Sequence, residues 1–372
     1  MQESTKEIIK NAGFDFDINN IEIQVPEVEK ITKDMKNIIL HTDTPTKAEL
    51  RTLVNLFYQI QDMRISISEQ IRSINKELSS TGTNNDANAI ILSWTLKSVS
   101  AIEKGINDSL INICKNNEVG KWLLDIVGIG GVLAAGCLAY FDVTGIQYAS
   151  NFISYAGLND QNRPWLGREK SKAIINDCIK KYSSDGKSID EDVVIHIAAE
   201  TQWSYDYLYE NAYSKKKWNK VALEKACAKI PYNKNLKVHM WKIGKQFEYQ
   251  KTRESSLYGH LLADRLVQEI QRNDEGLNAE LAAKKLSEKN YSKDTDTYKA
   301  YIEGKLPPAE INARARRWVQ KIFICHLFEE MYRVENNKVP PRYYIFEHGE
   351  GHHDYIEPEV PFYKVPNEIE PK

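Results

Sequence analysis

A short run of glycines inside an apolar stretch is the part of this sequence best suited to gripping a ligand: Gly128-Ile129-Gly130-Gly131, within LLDIVGIGGVLAAGCL. Glycines at a turn let backbone amides approach a phosphate, and the helix that follows presents the positive end of its dipole there. A tight helix–helix turn without any ligand has the same pattern. Polar chemistry follows closely, because Asn159, Gln161, Asn162, Arg163, Arg168, Lys170 and Lys172 gather around Trp165. Arg and Lys bind phosphates, amides read base edges, and a tryptophan offers a stacking face. A solvated loop around a buried tryptophan is the alternative.

Two basic stripes point toward the same polyanion. Lys234, Lys237, Lys242 and Lys245 share one side of a helical segment that also carries Trp241. Arg314, Arg317 and Lys321 are spaced for one helix face, with Arg316 adjacent. Such faces track a phosphate backbone or are simply solvated. Near the C-terminus, His348, His352 and His353 stand with Glu347, Glu350 and Asp354. His-x3-His beside carboxylates suits zinc, but two glycines interrupt the run and no third ligand is assignable, so we expect a hydrogen-bonded strap and no metal or other cofactor. Nuclease chemistry with two metals needs several carboxylates fixed by strand ends, and no β-rich acidic unit occurs. We therefore expect no catalysis.

These residues need a frame, and the frame reads as mainly α. Leu50, Leu53, Phe57, Ile60, Arg64, Ile67, Ile71, Ile74 and Leu78 alternate in steps of three and four, with Arg64 the only polar member. That spacing keeps one seam on one face and calls for a partner helix. The loop-like Ser79–Asp86 follows, and a second stripe returns through Leu92, Leu96, Val99, Ile102, Ile106, Leu110 and Ile113. The pair predicts a long antiparallel coiled-coil hairpin over residues 45–118, after an N-terminal arm over 1–44. Residues 119–372 then form a helical domain containing the helix-hairpin-helix-type turn. A helical insertion is expected over about 188–230, a long helix from about Lys234, and another from Pro307-Pro308 to about Val334, since proline suits a helix start. Residues 336–372 form the strap.

With 50 Lys and Arg against 52 Asp and Glu, net charge gives no sign of nucleic acid, so any basic surface must be local. The five cysteines are scattered without a CxxC pair, which argues against a zinc ribbon or a disulfide framework. No signal-like segment opens the chain, and the apolar run Trp122–Phe141 is a glycine-rich core hairpin rather than a membrane span. A cytoplasmic setting is expected, in a bacterial, archaeal or phage-infected cell.

The segments taken together resemble a known lineage. LLDIVGIGGVLAAGCLAYFDVTGIQYASNFISYAGLN resembles the core of the Nop domain of box C/D small nucleolar ribonucleoproteins, and equally the C-terminal region of bridge-RNA-guided insertion-sequence transposases. YNKNLKVHMWKIGKQF, SSLYGHLLADR, GKLPPAEINARARRWVQKIFICHLFEEMYRV and PPRYYIFEHGEGHHDYIEP are similar to the Nop-domain Tas proteins of tandem-interspaced guide RNA systems. The resemblance covers most of the chain from about residue 45. It implies a ribonucleoprotein in which the glycine turn and the Asn159–Lys172 loop hold a short structured guide RNA. The basic helices would flank that RNA, and the hairpin would join two copies. The guide would pair with complementary DNA, and no nuclease unit is present to cut it. Where the related transposases carry a nucleophilic serine, this chain reads NDQNRPWLG, with Ser171 further on. The rivals are a transposase-like or recombinase-like enzyme acting through Ser171 or the histidines, and a helix-hairpin-helix DNA binder without RNA.

Overall fold

The structure is a computed structural model that describes residues 45–81, 86–159, 165–340 and 355–362. The expected arm, most of the strap, and Gln161, Asn162, Arg163, His348, His352 and His353 lie outside the described residues. The chain is mainly helical, as the periodicities predict.

Helix α1 (Lys47–Thr81) starts at a capping box. Thr46 Oγ1 accepts the Glu49 N–H, and Glu49 Oε2 accepts the Thr46 N–H. It runs antiparallel to α2 (Asp86–Lys115). Far along the hairpin, Ile67 and Ile71 bury against Leu96 and Val99. Arg64, the polar member of the seam, is matched by Glu103 of α2. At the base, the buried residues are Leu50, Val54 and Phe57, whereas Leu53 is only half-buried. The seam shifts there because α1 also packs on a third helix, which recruits Val54 from the neighbouring face.

That helix is α4 (Gly131–Tyr140), reached from α3 (Glu118–Asp125) through the glycine turn. Asn117 caps α3 by accepting the Gly120 N–H at 2.9 Å. Nearly all of α4 is buried, with α1, α2, α3 and α10 (Lys234–Tyr249) around it. Its small residues make this possible. A Cβ on Gly136 would lie 2.0 Å from the ring of His239 in α10. Beyond α5 (Ala149–Tyr155), α10 and α11 (Leu257–Asp274) pack on α14 (Pro308–Asn336), whose first residue is the expected proline. The short helices α12 (Ala279–Glu288) and α13 (Asp296–Ile302) close a small cluster with Leu306 and Ile311.

The inserted unit is wider than the composition of 188–230 suggested. It begins at α6 (Gly167–Tyr182), continues through α7 (Glu191–Thr201) and α8 (Tyr205–Ala212), and ends with α9 (Lys220–Cys227). Ile175, Cys178 and Ile179 place one α6 face in a core shared with Val193, Val194, Ile197, Leu208 and Leu223, so α6 belongs to the unit. Between α8 and α9 stands a two-stranded hairpin, Tyr213–Ser214 with Lys217–Trp218. Nothing in its sequence signals a turn.

Candidate nucleic-acid-binding cleft

The glycine turn is held from below and open above. Gly128 has φ +92°, a left-handed conformation that glycine adopts without steric cost. Glu359 in the strap accepts the Val127 N–H at 2.6 Å and the Leu257 N–H at 2.8 Å, tying the turn to the start of α11. Burial pushes this carboxyl up, against the lowering effect of those backbone donors. The strap is anchored further by Trp122 Nε1–H donating to the Val360 carbonyl at 2.9 Å. Gly130 precedes α4, is exposed, and supplies no side-chain cap. The first bond of α4 runs from Ala134 N–H to the Gly130 carbonyl at 2.9 Å, so the amides of Gly131, Val132 and Leu133 lie ahead of the helical ladder, on residues that are buried beneath the exposed Gly130.

Over this turn lies a cleft of about 810 Å³, bounded by the base of α1, the turn and α10. Lys242, Lys245 and Arg253 line it, against a single lining carboxylate, Asp125. Trp241, Lys245 and Tyr249 recur at every fourth residue, which sets them on one side of α10. Trp241 is 51% and Tyr249 67% exposed, with Arg316 beside the first ring and Lys245 5.3 Å from the second. Lys242 Nζ sits 3.0 Å from the ring centroid of Tyr58 in α1, a cation–π contact that aims the ammonium. Burial lowers its pKa, opposed by the Asp62 carboxylate. Lys245 and Arg316 share Glu248 at 2.9 and 3.0 Å. Burial pushes Glu248 up, but the two cations outweigh it and leave the carboxyl below its usual range. Helix amides, unequal charge and exposed rings together suit a phosphate with an attached base.

The floor is rigid. His239 is buried, and its Nε2 stands 3.0 Å from the Leu133 carbonyl, which only accepts, so Nε2 carries the proton. Burial above all lowers its pKa to about 4 and keeps the ring neutral.

Of the residues expected from sequence, the cleft brings together Gly128, Gly130, Gly131, Lys242 and Lys245. Arg316 stands behind them, its guanidinium 5.9 Å from the Trp241 ring. Lys234 and Lys237 lie a turn or more earlier on α10, where Lys237 covers Tyr232 at 4.3 Å. Arg314 departs from the expectation. It binds Glu269 at 2.8 Å, and Arg265 grips the same carboxylate at 2.5 Å, so its charge is engaged inside the helical packing. The stripe Arg314, Arg317, Lys321 is thus no continuous free face. Asn159 is half-buried after α5. Arg168, Lys170 and Lys172 are exposed on α6 with the inserted unit, and Trp165 Nε1–H donates to the Ala228 carbonyl at 2.9 Å while the residue stays 54% exposed. These four are not lining residues of the cleft.

Sequence reasoning missed Tyr58, Gln61 and Asn107, which the hairpin base contributes from far away in the chain. Trp241 and Lys245 are legible in the sequence as an aromatic and basic face, and Tyr249 extends it by one more turn. Ser171 is fully buried and its hydroxyl donates to the Gly167 carbonyl at 2.7 Å, so it has no access to a substrate. Among the described residues no cluster of His, Cys, Asp or Glu suits a metal, and no helix is long and apolar enough to cross a membrane. No family model, curated protein or solved structure matches the chain.

Proposed function

We propose that this chain is an RNA-binding scaffold that carries a short structured guide RNA in the cleft over its glycine turn and directs it to complementary DNA. The observation that carries the reading is the conjunction at one place of an exposed Gly130 at a helix start, three lining cations, of which Lys245 is paired with Glu248, and two exposed aromatic faces. A phosphate would approach the turn at the exposed Gly130, Lys242 would neutralise it, and bases would stack on Trp241 and Tyr249. Dimerisation through the hairpin belongs to the same proposal. Leu56 and Met63 of α1, and Ile91 and Trp94 further along the hairpin on α2, are 39 to 62% exposed, apolar positions that a second copy could cover. The resemblance to Nop-domain Tas proteins points to a guide RNA, and the basic and aromatic lining of the cleft supports a polyanion there.

The experiment is to express the chain with its flanking DNA, purify it, and sequence the bound RNA. The reading expects one short RNA family in near-stoichiometric amount, lost in a Lys242→Ala/Tyr249→Ala double variant that keeps its helical content. Purification of the folded chain without RNA, or with RNA that the double variant retains, overturns it.

A further inference from the structure

The hairpin of the inserted unit is built in an unusual way. Tyr213 pairs with Trp218 and Ser214 with Lys217, leaving a two-residue turn of Lys215 and Lys216. Both turn residues are left-handed, at φ +51° and +58°. A two-residue turn with both centres left-handed favours Asn-Gly, Asp-Gly or Gly-Gly, because a Cβ is strained there. Two lysines are a poor structural choice. They also sit beside a third, Lys217, and all three are exposed. Helices α8 and α9 carry Asp206, Glu210 and Glu224, yet among the described residues none forms an ion pair with the tip.

The stem, in contrast, is braced. Tyr209 stacks on Tyr213 at 4.7 Å, and Trp218 meets Tyr205, Tyr209 and Tyr213 edge-on at 5.8, 5.8 and 5.1 Å. Asn219 donates its N–H to the Ala212 carbonyl at 2.9 Å, which joins the ends of the hairpin to both flanking helices. Strain and like-charge repulsion are thus concentrated above a stem packed by aromatic rings. Backbone strain held in place this way clusters at functional sites.

We propose that the Lys215–Lys217 tip is a second nucleic-acid contact, docking on the sugar–phosphate backbone of duplex DNA without reading its sequence. Lysine is a point charge suited to phosphate rather than to planar base recognition. The rings behind the tip are committed to one another, so they form no stacking ladder of the kind a single strand requires. The pre-set turn lowers the ordering cost of contact. This site is separate from the cleft and does not depend on it.

The test uses the full chain with Lys215→Asn/Lys216→Gly, which removes two charges while installing the preferred turn pair, and with Lys217→Glu. Binding to a short fluorescent DNA duplex is titrated between about 50 and 200 mM salt. The salt slope should become shallower by about 0.9 per lost phosphate contact, and affinity at 0.1 M should fall about eightfold per contact. The melting temperature of the Asn-Gly variant should stay level or rise. Unchanged slope and affinity, or no duplex binding by the unmodified chain, overturns the proposal. So does a loss seen only on phosphatidylserine vesicles with duplex binding intact. A Lys242→Ala control separates the sites: the RNA defect should follow Lys242, and the duplex defect should follow the tip.

Discussion

Alanine at Gly130, Gly131 and Gly128 should separate the binding role of the turn from its folding role. Among the described residues, no heavy atom lies within 4 Å of where a Cβ would sit on Gly130, and its backbone is extended. Alanine there loses roughly 0.5–1 kcal/mol as a helix cap, and regains a similar amount by restricting the unfolded chain. Stability should therefore change by less than about 0.5 kcal/mol. The added methyl, however, stands at the mouth where a phosphate would approach, and RNA affinity should drop at least about tenfold, or 1.4 kcal/mol. Gly131 is the opposite case. Its Cβ would lie 2.4 Å from Ile111 Cγ1 and 3.1 Å from the Ile111 amide, so α2 and α4 must part. Overpacking of that kind costs about 1–3 kcal/mol. At Gly128 the φ of +92° adds strain of roughly 1–2 kcal/mol, though the crowding atom is the flexible Gln250 side chain at 3.2 Å. Urea denaturation and anisotropy titration on all three variants provide the measurements. A Gly130→Ala protein that binds RNA as tightly as the parent, or is destabilised as much as Gly131→Ala, refutes the reasoning.

Three further outcomes follow from buried and half-buried groups. His239 binds protons less readily folded, near pH 4, than unfolded, near pH 6.5, so the unfolded chain holds the extra proton in that window. Stability is then full above about pH 6.5 and falls by about 3 kcal/mol as pH drops to 4, a slope that His239→Gln should remove in denaturation measured against pH. Glu269 is 1% exposed between Arg265 and Arg314, and Glu269→Ala should cost about 1–3 kcal/mol in chemical denaturation by leaving two partly exposed guanidinium groups without their shared acceptor. Glu359→Gln turns an NH2 donor toward the amide of Val127 or Leu257, with an expected loss of about 1–3 kcal/mol and faster hydrogen exchange at those two amides.

Local pattern and long-range pairing account for what could and could not be read from the residues alone. The hairpin was legible because seam residues such as Ile67, Ile71, Leu96 and Val99 repeat in register with a partner helix. The start of α14 was legible because proline at its first position has no amide to leave unpaired. The glycine turn was legible as an elbow, and so was its place before a helix. Its surroundings were not. Tyr58 and Glu359 reach the turn from opposite ends of the chain, and no periodicity announces such meetings. The fate of Arg314 was hidden for the same reason, since its partner Glu269 lies on another helix. The lysine hairpin escaped notice because its turn lacks the Asn or Gly that normally marks one.

The most direct test of the cleft is ultraviolet crosslinking of the protein purified with its RNA, followed by mass spectrometry of the nucleotide-bearing peptides. Adducts on Trp241 and Tyr249, reduced in Gly130→Ala, are the predicted result. Adducts confined to residues away from the cleft, on a protein that carries its RNA, would contradict the central claim.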